Sequence, residues 1–162
     1  MKSLAVASIH GIWTSGGKED WQNRLGTVLE GSIEGCKSYP FRYGFLPATV
    51  AHWMALGKSL FIPSLVRNWY VGRFVDFLRK VQKDNPDSDI SIIAHSFGGW
   101  IAEQAIPHLE FPLHSVVYVH CPISVHIEHG FYYSWLTSGK IGKVVSWSSH
   151  EDEVIVYIAI TP

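Results

Sequence analysis

Charged residues are scarce in this 162-residue chain: Asp, Glu, Lys and Arg together make up 17% of it, and the formal net charge is -1. No cluster of Lys and Arg exceeds two neighbours, so the sequence lacks the basic patch that binding to nucleic acid requires. It also lacks any run of ~18 or more apolar residues, the length that a membrane-spanning helix needs. We therefore expect neither nucleic acid nor a membrane span.

Cysteine is scarce as well. Cys36 and Cys121 are the two cysteines of the chain, and each falls in or beside a predicted buried strand, where a free thiol packs as a small apolar group. A disulfide scaffold is not indicated. The apolar segment from Leu4 to Ile9 is short, and no convincing signal-peptide cleavage site separates it from His10 and Gly11. We interpret this segment as the first strand and expect a cytoplasmic protein.

Apolar residues, by contrast, are abundant. They make up 47% of the chain, which contains seven Trp, seven Tyr and eight Phe, a composition typical of a globular protein with a sizeable core. No internal repeat or low-complexity segment interrupts the pattern. The length predicts one domain that covers residues 1–162.

Apolar runs alternate with amphipathic segments along the whole chain. Strands are predicted at 4–9, 36–43, 90–94, 115–121 and 141–147, and helices at 20–30, 64–84 and 98–107. Residues 44–63 are interpreted as a short cap helix or a segment that covers the sheet, and residues 123–139 as a long irregular or helical excursion. Together these apolar and aromatic segments are candidates to shape an acyl-binding pocket or a lid. Strands that are separated by helices predict right-handed crossovers. The pattern therefore predicts an α/β fold in which helices cover both faces of a parallel sheet of about five strands.

The segment Ala94-His95-Ser96-Phe97-Gly98 lies between a predicted strand and a predicted helix. In a sharp strand-to-helix turn, the residues two positions before and after the central serine are pressed against each other and against the sheet. Very small residues fit there, as Ala94 and Gly98 do. The pattern is typical of a nucleophile elbow, the turn that exposes the catalytic serine of serine hydrolases.

Three segments follow one another along the chain. The first is His10-Gly11-Ile12-Trp13 after the first strand, the second is the elbow, and the third is the acidic turn at 148–154. With them the chain resembles the α/β-hydrolase superfamily, and within it the small bacterial lipases and serine esterases. The resemblance implies an enzyme that cleaves a small-molecule acyl ester through an acyl-enzyme at Ser96.

The resemblance also implies the roles of other residues. The backbone N–H groups of Ile12 and Phe97 are expected to form the oxyanion hole. Asp152 is expected to be the catalytic acid, which orients a histidine and stabilises its imidazolium form. No cofactor and no metal are implied, because side chains and water suffice for the chemistry.

The catalytic base is the unassigned member of this set. The family places its histidine after the acid, whereas residues 153–162 contain none, so the final helix, the final strand and the loop that carries the base are expected to be missing. His150 is a candidate, oriented by Asp152 or Glu128, although two residues so close in one turn make a poor acid–base pair. The pair His126 and His129 lacks the spacing of a zinc-protease helix, and we assign no metal there.

Two alternatives follow from the unassigned base. The chain is then a hydrolase fold without turnover that serves as a binding or structural module, or a subunit that another chain completes. In the second case a homo-oligomer would cover the sheet edge that is expected to be open after residue 147.

Overall fold

The computed structural model describes residues 2–11, 21–42, 62–121 and 131–147. Its strands are β1 (Leu4–Ile9), β2 (Cys36–Phe41), β3 (Asp89–His95), β4 (Ser115–Val119) and β5 (Val144–Trp147). Its α-helices are α1 (Trp21–Ser32), α2 (Ile62–Asp84), α3 (Phe97–Ala105) and α4 (Phe131–Thr137), and a 3-10 turn at Ile106–His108 extends α3.

The five strands form one sheet in the order β2-β1-β3-β4-β5, and all of its neighbouring strands are parallel. This confirms the α/β fold that the sequence predicts. The bounds shift at some ends: β2 stops at Phe41 rather than at residue 43, and β5 begins at Val144. Ile141, where the last strand is predicted to begin, forms an isolated bridge with Leu113 instead.

Helices pack on both faces of the sheet, as predicted. Successive strand residues point to opposite faces, and Ser8 and Ile9 illustrate the two sides. The Ser8 hydroxyl and carbonyl oxygens accept hydrogen bonds from the Nε2 of Gln22 in α1. Ile9 belongs instead to the apolar core that includes Phe74 of α2 and Ile101 of α3.

The core lies mainly between the sheet and the helices α2 and α3. Phe41, on the edge strand β2, packs against Phe74 with their ring centroids 5.0 Å apart. The inner strands are apolar on both faces, as parallel strands covered by helices must be. Among the described helices, none combines the length and the apolar character that crossing a membrane would require.

Candidate active site

The carboxyl ends of β1 and β3 lie side by side at one edge of the sheet. From β1 the chain continues to β2 on one side, and from β3 it continues to β4 on the other. In open parallel sheets, a crevice forms where successive connections diverge in this way, and ligands bind there. His10 and Gly11 follow β1, and Ser96 follows β3, so the fold brings two of the three sequence motifs to this crevice.

Ser96 adopts a backbone conformation that residues other than glycine seldom adopt. Its φ is 53° and its ψ is -127°, at the junction between β3 and α3. Such a conformation costs on the order of 1–3 kcal/mol and persists only where the surroundings hold it. Here the Ser96 N–H donates to the carbonyl oxygen of Val119 at 3.1 Å, and the Ser96 carbonyl accepts from the Gly99 N–H at 2.9 Å.

Gly98 allows α3 to begin directly against the end of β1. A Cβ on Gly98 would lie 2.7 Å from the carbonyl oxygen of His10 and 2.9 Å from that of Ile9. Both neighbours are backbone atoms, which cannot rotate away as a flexible side chain can. Ala94, the small residue on the other side of the turn, is fully buried. The requirement for small residues on both sides of Ser96 therefore has a direct steric basis.

Gly11 lies on the opposite side, against the Ser96 side chain. A Cβ on Gly11 would meet the Cβ of Ser96 at 2.7 Å and its Oγ at 3.1 Å. The main chain after β1 thus approaches the serine hydroxyl more closely than any other residue type would allow. Ile12, the expected oxyanion-hole residue that follows Gly11, lies outside the described residues.

Phe97, the other expected oxyanion-hole residue, is the first residue of α3. The first N–H groups of a helix have no acceptor within the helix, and the helix dipole places partial positive charge at this end. The Phe97 ring stacks on the Trp100 ring, with centroids 5.5 Å apart and planes inclined by 11°. The backbone N–H of Phe97 therefore lies at the start of α3, directly after Ser96.

Two histidines that the sequence left without a role line this crevice. His10 is buried, and its Nδ1 lies 2.6 Å from the carbonyl oxygen of Gly11. A carbonyl only accepts hydrogen bonds, so this Nδ1 carries the proton. The ring of His95 packs against Trp21 at a centroid distance of 5.7 Å, and its Nδ1 lies 3.4 Å from the position of a Gly11 Cβ.

His120 is a third histidine near Ser96, at the end of the neighbouring strand. It has a positive φ of 48°, and its N–H donates to the carbonyl oxygen of Trp147 at 2.8 Å. Its ring lies 6.4 Å from that of His95 and 6.0 Å from that of Trp147. Its position directly after an apolar strand is the one sequence signal that could have singled it out.

His150 and Asp152 lie outside the described residues. The last described residue before them is Trp147, which is in register with Val119, and Val119 is in turn in register with His95. The chain therefore leaves β5 at the same edge of the sheet, two strands away from β3, which is roughly 10 Å at the usual strand spacing.

No metal-binding cluster of three or more His, Cys, Asp or Glu side chains occurs among residues 2–11, 21–42, 62–121 and 131–147. The segment that contains His126, Glu128 and His129 is outside these ranges. Comparison of the chain with protein-family models, with curated proteins and with solved structures finds no match.

Proposed function

We propose that this protein is a serine hydrolase of the α/β-hydrolase type, which cleaves a small-molecule carboxylic ester through an acyl-enzyme at Ser96. The observation that carries the proposal is the conformation of Ser96, with φ at 53° between β3 and α3. Gly11 and Gly98 both approach the turn too closely to accept a Cβ without a shift of neighbouring atoms. Strain of this kind clusters at functional sites, where it presents a reactive group.

In the proposed reaction, the Ser96 Oγ attacks the ester carbonyl carbon and its proton passes to a base. The carbonyl oxygen becomes an oxyanion, which accepts hydrogen bonds from the backbone N–H groups of Phe97 and Ile12. The carbon–oxygen bond to the alcohol breaks, and the alcohol leaves with the proton. Water then attacks the acyl-enzyme, releases the carboxylic acid and restores the Ser96 hydroxyl.

The proton transfer in this proposal needs a histidine and an acid. Asp152 is the proposed acid and His150 the candidate base. Both follow β5 in the sequence, and β5 ends at the edge of the sheet where Ser96 lies. A neutral imidazole would accept the Ser96 proton, and the carboxylate would stabilise the resulting imidazolium.

A homo-oligomer is also part of the proposal, because β5 is the last strand of the described sheet. Trp147, at its end, is 68% exposed. A strand edge with which no other described strand pairs, beside an exposed aromatic side chain, favours association with another strand. The molar mass in solution, measured by light scattering, tests this point: a monomer across the micromolar range contradicts it.

Labelling with a fluorophosphonate tests the proposed nucleophile. In that reaction an Oγ–phosphorus bond forms at Ser96, the phosphorus–fluorine bond breaks, and fluoride leaves while the base takes the serine proton. Ser88→Ala is the matched control, since Ser88 precedes β3 at the opposite edge of the sheet and its hydroxyl is bonded to that of Ser3 at 2.6 Å.

We expect stoichiometric labelling of the wild type and of Ser88→Ala, and none of Ser96→Ala. Mass spectrometry of the labelled peptide identifies the modified residue. Label on another serine, or an inert Ser96 in a folded protein, would contradict the nucleophile assignment. The second result would favour the alternative in which the fold serves as a binding or structural module.

A further inference from the structure

Cys121 lies directly behind the Ser96 turn. It follows β4 and is 5% exposed. Its thiol has one proton, and its Sγ lies 3.3 Å from the carbonyl oxygen of Ala94 and 3.4 Å from that of Val119, so the thiol donates to one or the other. A Cβ on Gly99 would lie 2.5 Å from the Cys121 Sγ and 2.8 Å from its Cβ. One side chain therefore contacts the turn on both sides: Ala94 belongs to the strand that enters it, and Gly99 to the helix that leaves it.

The protonation state of Cys121 suits a structural donor. Burial raises its pKa to about 12, and this effect outweighs the hydrogen bonding of the backbone at Val119, Gly99 and Ser96, which lowers it. At neutral pH the group is thus a thiol that keeps its proton, with no nucleophilic role of its own.

We propose that Cys121 is a positioning residue that holds Ser96 in its reactive backbone conformation, by donating to the carbonyl oxygen of Ala94 or Val119 at this turn and by packing against Gly99. The inference rests on the proposed function of Ser96 and deepens it. The positive φ of Ser96 needs support from its surroundings, because its strain would otherwise relax. The contacts of Cys121 supply that support from the side opposite Gly11.

The size of the thiol is matched to this place. The space above Gly99 is filled by the sulfur, so a larger side chain at position 121 would push α3 away from the sheet. Alanine would leave a void beside Gly99 and would remove the thiol donor next to the Ala94 and Val119 carbonyl oxygens. Serine would keep a hydroxyl donor in a smaller side chain, and Cys121→Ser is therefore the conservative variant.

Cys36 provides a matched control. It is the other buried free cysteine, and burial likewise raises the pKa of its thiol. It lies at the start of β2, in register with Leu4 at the amino end of β1, which is the edge of the sheet opposite Ser96. Cys36→Ala therefore removes a buried thiol without touching the turn.

The test measures the rate and the concentration dependence of fluorophosphonate labelling at Ser96. We expect Cys121→Ala to lower the maximal labelling rate by about ten- to a hundredfold, as small misplacements of a reactive group do, with half-saturating concentration within twofold of the wild type. Cys121→Ser should recover most of the rate, and Cys36→Ala should match the wild type. Equal rates in Cys121→Ala and Cys36→Ala would overturn the inference.

Amide hydrogen exchange gives a second readout that does not depend on activity. Without the Cys121 thiol, the amides of Ser96 and Gly99 should exchange at least about tenfold faster, whereas the amide of Ile101, later in α3, should keep its wild-type rate, because only the turn opens. Unchanged exchange at Ser96 would overturn the inference. If the wild type resists labelling but Cys121→Ala still shows this faster exchange, the result would contradict the proposed enzyme while supporting the role of Cys121.

Discussion

The carbonyl oxygen of His10 lies 2.7 Å from the position that a Cβ on Gly98 would take. The helix that begins after Ser96 is therefore seated on the backbone of the neighbouring strand. This contact joins the two motifs of the crevice, since His10 and Gly11 bring the main chain to the Ser96 hydroxyl while Gly98 lets α3 start beside it. Gly11 and Gly98 therefore both serve the close approach of the chain after β1 to the Ser96 turn.

Gly98→Ala is expected to destabilise the protein by about 1–3 kcal/mol, the usual cost of forcing an extra carbon into a packed site. Gly72→Ala is the control, because Gly72 lies inside α2 and a Cβ there would have no neighbour within 4 Å. That change should stabilise the protein by roughly 0.5–1 kcal/mol, since alanine favours a helix interior over glycine. Urea denaturation of both variants measures the difference, and equal stability of the two would contradict the steric argument.

The sequence predicts this turn well because its signal is local. Ala94 and Gly98 flank Ser96 within a single strand-turn-helix segment, and the apolar runs around them set the strand and the helix. The alternation of strands and helices likewise predicts the parallel sheet. Ends of elements are less predictable: the apolar and aromatic pattern continues past Phe41, but the pairing of β2 with β1 ends there.

The contributions of Cys121 and His120 to the crevice escape sequence reasoning for a different reason. They reach Ser96 through the pairing of β3 with β4, in which His95 is opposite Val119. The residues next to Cys121 in the sequence do not predict that its thiol packs against Gly99. Contacts set by the register of two strands become visible once the strands are placed side by side.

Ser96→Gly should produce a more stable but inactive protein. Glycine adopts a φ of 53° without strain, whereas alanine keeps the strained backbone of the wild type. We expect Ser96→Gly to be more stable than Ser96→Ala by about 1 kcal/mol or more, given the usual cost of such strain. Thermal unfolding of the two variants checks this, and a less stable Ser96→Gly would show that the turn holds serine without strain.

Glu103 should make the protein more stable in acid. It lies on α3, where burial raises the pKa of its carboxyl group and the hydrogen bond from the Tyr132 hydroxyl only partly offsets this. The folded state therefore holds a proton that the unfolded state has released, so stability falls as the pH rises from about 4.3, the unperturbed value for Glu, through the raised pKa.

Glu103→Gln should flatten that part of the stability curve, because the amide stays neutral and can still accept from Tyr132. Tyr132→Phe should steepen it, since the half-buried carboxylate loses its donor at a cost of about 1–3 kcal/mol at neutral pH. Glu110 is the contrast: Arg79 holds the pKa of this exposed carboxyl below its usual value, which gives a dependence of the opposite sign. Denaturation of Glu103→Gln and Tyr132→Phe from pH 4 to 8 measures both effects, whereas the Glu110 contribution is lost only below this range, as the pH falls through its lowered pKa. An unchanged slope in Glu103→Gln would contradict the assignment.

The remaining prediction concerns the proton acceptor for Ser96. If no base serves Ser96, we expect slow hydrolysis of an activated p-nitrophenyl ester and little of unactivated lipid, because the oxyanion donors and binding alone still give about 10³–10⁴-fold catalysis over water in such sites. If His150 is the base and Asp152 its acid, His150→Ala and Asp152→Asn should each lower kcat by about 10²–10⁴-fold. The rise of kcat with pH near 6.5, where a histidine loses its proton, should also disappear in His150→Ala.

His114→Ala is the control for these variants, because His114 is exposed and lies 3.7 Å from Asp89 at the amino edge of the sheet, away from Ser96. Its turnover should equal that of the wild type. Efficient turnover that depends on Ser96 but is indifferent to His150 would contradict the assignment of His150 and point to a different histidine, either one of the three near Ser96 in this chain or one supplied by a partner chain. In the latter case the rate per subunit should fall on dilution, since a base supplied by a partner is lost when the oligomer dissociates.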